Sequence, residues 1–186
     1  MSNKNNLEAE AISAVSNWVD TFVVGMNLCP FAKRELVNNR VRFITTNATT
    51  EDALLMALKL ELELLTTDPS IETTLLIPTH VLQDFYDFND FLNDADRLLV
   101  EMALEGVYQV ASFHPNYQFG GTEPEDAENY TNRSPYPVLH LIREESLEKA
   151  IASYPNVDAI PERNIALMNE LGIEKLHALL KNCFKN

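Results

Sequence analysis

Thr73-Thr-Leu-Leu-Ile-Pro-Thr79 is the stretch whose reading decides the architecture. Its apolar residues run on without alternation, as in a strand covered on both faces. Pro78 marks its end, because proline cannot donate to a central ladder. Upstream, Thr49 or Thr50 caps a helix over Glu51 to Leu65 with Leu55, Leu58, Leu62 and Leu65 on one stripe. Downstream, Asp84 to Met102 repeats the pattern with Phe85, Phe88, Leu92, Ala95, Leu99 and Met102. Asp84, Asp87 and Asp90 sit at its start, where the helix dipole favours acids; they lack the glycine and closing glutamate of a calcium loop. Further strands are predicted at Val41–Thr46, Gly106–Phe113 and Val138–Ile142.

An amphipathic helix over Leu7 to Met26 opens the chain, ended by Gly25 and Asn27, and a short helix follows from Pro30 to Val37. The C-terminal helices are Glu145–Tyr154, Pro161–Leu171 with Gly172 as stop, and Glu174–Phe184. Polar Met1 to Asn6 is expected to be disordered. The order predicts one α/β layered domain over residues 1–186, with a four-stranded mixed sheet flanked by helices. The first three strands would run parallel through right-handed crossovers, and the fourth antiparallel. A ferredoxin-like α+β arrangement is the competitor.

Net charge is −14. From Phe43 to Asn132 there are 17 acidic residues against Lys59 and Arg97, a field that repels phosphate backbones and anionic membranes. Nucleic acid and membrane are therefore not expected partners; the oligomeric state is left open. No apolar run approaches the roughly 18 residues of a membrane span, and the N-terminus has no secretory h-region. Cys29 and Cys183, far apart and unpaired by motif, suit a reducing cytoplasm.

The connection from Pro115 to Pro137 is long for a compact domain, and long connections tend to be functional. It carries Tyr117, Phe119, Tyr130 and Tyr136, which seek surface to pack on. If the first three strands are parallel, Thr45-Thr-Asn47, His80 and His114 leave the sheet at the end where ligands gather in open α/β sheets. The fourth strand, starting there, would bring His140 into reach. Pro115 holds His114 in extended or turn geometry. Cys29 at the N-cap of the Pro30 helix, with Lys33 and Arg34 one turn on, is expected to have a lowered thiol pKa. Arg133 and Arg143 offer guanidinium forks for an anion, or for the nearby acids Glu123, Glu125, Asp126 and Glu128.

Asn27-Leu-Cys-Pro-Phe-Ala, Leu82-Gln-Asp-Phe with Asn89-Asp-Phe-Leu92, Gln109-Val-Ala-Ser-Phe-His-Pro with Tyr117-Gln-Phe, Thr131-Asn-Arg-Ser-Pro-Tyr-Pro with Leu139-His and Arg143-Glu144, and Glu162-Arg-Asn164 together resemble the bacterial family catalogued as domain of unknown function 1415. The resemblance spans about Ser13 to Gly172. It implies a bacterial, single-domain protein and assigns no catalytic residues. The polar positions within those strings are Cys29, His114, Tyr117, Gln118, Asn132, Arg133, Ser134, His140 and Arg143.

Three functions compete. In the first, an enzyme acts on a small anionic metabolite: Cys29 attacks, His114 shuttles protons, and ligand contacts come from Lys33, Tyr117, Gln118, Asn132, Arg133, Ser134, His140 and Arg143. In the second, His80, His114 and His140, with Asp126, form a metal site, although no compact ligand motif supports one and no cofactor is implied. In the third, the loop belongs to a non-catalytic module that binds a ligand or protein partner.

Overall fold

The computed structural model describes residues 2–185, and side chains from residue 6 onward. Its sheet has the order β1 (Val41–Thr46), β2 (Thr73–Pro78), β4 (Val138–Arg143), β3 (Tyr108–Phe113). β1 pairs parallel to β2, while β4 lies antiparallel to both β2 and β3. The first three strands thus share one direction, as expected, and β4 is inserted between two of them. This sheet order is not that of the ferredoxin-like alternative.

The crossover helices α3 (Glu51–Thr67) and α4 (Phe85–Glu101) cover one face of the sheet. Leu54, Leu58, Leu62 and Leu65 of α3 and Phe88, Phe91 and Ala95 of α4 bury against Leu76, Leu139, Leu141 and Tyr108. Thr50, one of the two expected caps, accepts at Oγ1 from Ala53 N, and Asp84, expected within the first turn, is the N-cap of α4, accepting from Tyr86 N and Asp87 N. Residues of opposite parity, Leu75, Ile77 and Val138, point to the other face, as strand alternation requires.

That second face is covered by α1 (Ser2–Trp18), the π-helix Val19–Val24 that continues it, α6 (Ile160–Leu171) and α7 (Ile173–Asn182). Ala11, Val15, Trp18, Val19 and Phe22 supply its buried stripe, together with Met168 and Leu176. α1 takes in residues 2–6, and Met1 of the stretch Met1–Asn6 lies outside the described residues. The helix ends because the backbone closes tightly: a Cβ on Gly25 would sit 2.5 Å from the Thr21 carbonyl oxygen, and Asn27 has φ 55°.

Two shorter helices complete this side, α2 (Ala32–Val37) and α5 (Glu144–Ser153). Neither contains a buried residue. Among the described residues, no helix is long and apolar enough to cross a membrane.

Candidate ligand-binding site

Under α2 and α5 the second face of the sheet is not filled. A cavity of about 540 Å³ lies there, floored by Val41, Thr73, Leu75, Ala111, His140 and Ile142. Its walls are Trp18, Val19 and Val23 from the N-terminal helices, Cys29 to Ala32, and Leu147, Ala150 and Tyr154 from α5 and the turn after it. Arg34, Glu35, Arg40, Glu72 and Lys149 add charge to an otherwise largely apolar lining. Apolar enclosure with few polar groups is how small-molecule sites are built.

Local geometry fixes Cys29 on this wall. Its N–H donates to Val23 O (3.3 Å), which folds the Asn27–Pro30 turn back onto the π-helix. From the other side Arg163 Nη2 donates to Asn27 O (2.5 Å) and Asn164 Nδ2 to Leu28 O (2.9 Å). The separate sequence strings around Cys29 and Arg163 therefore meet in one joint. The helix proper begins at Ala32, with Phe31 rather than Cys29 at its N-cap. Burial pushes the Cys29 thiol above its ordinary pKa; the N–H groups of Phe31 and Ala32 pull the other way and lose. The expected low thiol pKa is thereby corrected: desolvation outweighs two amide dipoles.

His140 stands on the floor in the middle of β4. Thr73 Oγ1 donates its single proton to Leu141 O (2.5 Å), so the 2.7 Å contact between Thr73 Oγ1 and His140 Nε2 must have the imidazole as donor. This fixes the neutral tautomer with its proton on Nε2 and the lone pair on Nδ1. Nδ1 has no partner among the described residues, and His140 lines the cavity. Desolvation by the surrounding protein lowers the His140 pKa to about 4, which keeps the ring neutral at pH 7.

Next to Thr73 in the chain stands Glu72, 8% exposed. Arg40 Nη2 holds its Oε2, and Arg40 Nη1 also donates to Glu35 Oε2 (3.2 Å). Among the described residues, Glu72 Oε1 is buried with no partner, as is the indole N–H of Trp18. Buried polar atoms without partners are rare in native folds, and two residues carrying them line this one cavity. Sequence reasoning missed Trp18, Arg40, Glu72 and Thr73. For Glu72 and Thr73 the signal was a charged or hydroxyl residue at the start of a largely buried strand.

His114 is elsewhere. Following Phe113, it turns to the face that α4 covers, stacking on Phe88 (5.1 Å) and Phe85 (5.5 Å), whereas Cys29 belongs to the opposite face. Its Nδ1 accepts from Asn116 N (3.0 Å), so Nε2 carries the proton and donates to Leu82 O (3.3 Å). Burial lowers its pKa, and both ring nitrogens are used by the fold. The expected Cys29–His114 pairing is thus corrected: the sheet separates the two side chains.

The rest of the Pro115–Pro137 loop forms a packed knot around a 3-10 turn at Ala127–Thr131. Asn132 O accepts from His114 N (3.2 Å), Asn132 Nδ2 donates to Ser112 O (3.3 Å), and buried Ser134 donates to Tyr136 O (2.6 Å). Tyr117 packs between Phe85 and Phe119, and Gln118 donates to Thr122 O. Arg133 donates to Tyr117 O (3.2 Å) and Pro124 O (2.6 Å) and lies over the Tyr130 ring, with backbone carbonyls in place of the anticipated acids. Asn129, also missed, is the centre: its Oδ1 accepts from Phe119 N and Thr122 Oγ1, and its Nδ2 donates to Glu123 O.

Arg143 lines the cavity, but its guanidinium donates to the carbonyls of Leu65, Asp68 and Ile71 and to Tyr108 Oη (2.9 Å). It ties the end of β4 to the α3–β2 connection. Both arginines of the expected anion clamp are committed inside the fold. Lys33 is exposed and outside the cavity wall. His80 is exposed as well, and among the described residues no three His, Cys, Asp or Glu groups gather to hold a metal.

The site therefore lies at the other end of the sheet from the one anticipated. It brings together Cys29, His140 and the wall of Arg143, and leaves the loop residues to their own knot. No curated protein and no solved structure matches the chain. One family model does, over residues 10–178, which include the Cys29 joint, every strand and the whole loop. The chain belongs to the family described as protein of unknown function (DUF1415).

Proposed function

We propose that this chain binds a small, largely apolar molecule in the cavity beneath α5. The observation that carries the reading is the cavity itself. Leu147, Ala150 and Tyr154 line it from the α5 side, yet α5 buries no residue, so an apolar guest would give that helix the packing it lacks. Polar groups on the floor would orient such a guest.

Cys29 on the same wall favours a second reading, in which the thiol acts chemically on the bound molecule as a nucleophile. Its raised pKa makes it a thiol at rest, so activation would have to come from the ligand or from a proton acceptor such as His140. The anionic metabolite expected from the loop arginines has less support, because Arg133 and Arg143 are occupied.

The test uses N-phenyl-1-naphthylamine, a neutral probe that fluoresces in apolar enclosures. Wild-type protein should bind it near one equivalent and protect Cys29 from alkylation. Ala111→Phe, which fills the floor, should lose binding while keeping its melting temperature within a few degrees. Equal probe binding by both proteins would refute the cavity as the site.

A further inference from the structure

We propose that the sheet-side wall of this cavity is a subsite for a hydroxyl or amine head group, whose N–H or O–H is donated to Nδ1 of His140 with the Glu72 carboxylate beside it. The inference rests on the cavity being a ligand site and adds the chemistry of the ligand's polar end.

The groups on this wall differ in what they still have to offer. Thr73 has its proton committed, since its hydroxyl donates to Leu141 O and accepts from His140 Nε2. That arrangement allows the imidazole one tautomer and leaves an unshared lone pair on Nδ1. Glu72 flanks Thr73 in the chain, with one oxygen held by Arg40 and the other buried without a partner. The open position is thus an acceptor, Nδ1 of His140, with the buried negative charge of Glu72 on the same wall, and an acceptor desolvated on an apolar wall selects for donors. A carboxylate placed there would meet a lone pair and a like charge on the same wall, whereas an alcohol or amine would satisfy the lone pair. The cations of the lining do not reverse this. Arg40 is engaged by Glu35 and Glu72, Arg34 lies 3.4 Å from Glu35, Lys149 pairs with Glu145, and Arg143 is directed to carbonyls behind the strand.

Four probes share one naphthalene body: 1-naphthalenemethanol, its methyl ether, 1-naphthylmethylamine and 1-naphthoate. Calorimetry or ligand-observed NMR on the full chain should rank the alcohol and amine about tenfold or more above the ether, since an unmet buried acceptor costs on that order. Naphthoate should bind weakest. His140→Phe should bring alcohol and ether to equal affinity. On wild-type protein, the His140 Nδ1 nitrogen resonance should have the unprotonated form's shift and move when the alcohol, but not the ether, is added. Equal binding of alcohol and ether, or strongest binding by naphthoate, would overturn the subsite and leave the cavity reading standing. Failure of all four probes to bind would overturn both. An Nδ1 already protonated in free protein at pH 7 would overturn the tautomer argument whatever the folding of the variant.

Discussion

Lowering the pH should destabilise this protein through His140, and the size of the effect follows from its position. The imidazole lies on the floor of an apolar cavity with one nitrogen bonded to Thr73, and burial sets its pKa at about 4. In the unfolded chain a histidine titrates near 6.5. A folded pKa below the unfolded one means that the unfolded chain takes up the proton first. Stability is therefore complete above pH 6.5 and declines as pH falls toward 4. Linkage between those two values makes the loss about 2.5 kcal/mol on going from about pH 7.5 to about pH 4.5.

The control is His140→Gln, whose side-chain amide can still donate to Thr73 but does not titrate. Urea denaturation at both pH values should show the wild type losing about 2.5 kcal/mol more than the variant, or roughly 5–10 °C of melting temperature for a chain of this size. His114, also lowered by burial, contributes equally to both proteins and cancels. Parallel pH profiles for wild type and variant, or an NMR titration placing His140 near 6.5, would refute the claim that the floor of the cavity is desolvated.

Arg143→Met should cost about 3 kcal/mol or more, because the carbonyls of Leu65, Asp68 and Ile71 lose a charged donor together; urea unfolding measures it. Asn129→Leu should cost roughly 2–3 kcal/mol and raise amide exchange across residues 115–137, while exchange in β2 stays slow. Cys29 should react with iodoacetamide more slowly at pH 7 than a free thiol, with a rate that keeps rising past pH 9. A rate inflection near pH 7 would show that the backbone N–H groups of Phe31 and Ala32 outweigh burial after all.

Much of the frame could be read from local patterns. β1 and the cap at Thr50 sit where periodicity and capping chemistry put them, because an alternating strand and an amphipathic helix leave period-specific marks. Cys29 and His140 could be singled out on chemical grounds, and both line the cavity. The partnering of His114 was not. One residue of alternation decides which face a strand-end side chain takes, and Phe113 takes the face that Cys29 shares, leaving α4 to His114. Arg133 and Arg143 illustrate a second limit. A guanidinium that binds backbone carbonyls has the same sequence as one that binds a ligand; only the fold shows where its donors go.

The location of the cavity follows from where β4 enters the sheet. With β1, β2 and β3 running one way, the ligand end of an open α/β sheet would be their carboxyl edge. Here β4 fills the gap between β2 and β3, and the loop before it closes over that edge, with His114, Asn132 and Ser134 bonded to one another. The two crossovers place α3 and α4 on one face, so the opposite face depends on the chain's two ends for cover. α1, the π-helix, α6 and α7 reach Leu75, Ile77 and Val138. The part of that face by Val41, Thr73 and Ile142 is left to α2 and α5, two short helices without a fully buried residue. A packed interior is generally stable enough not to leave such a volume by accident, since a void forfeits the contacts of its whole lining. The same insertion that closes the expected ligand end therefore opens the other one, and it puts His140, a residue of the inserted strand, on the floor of the space it creates.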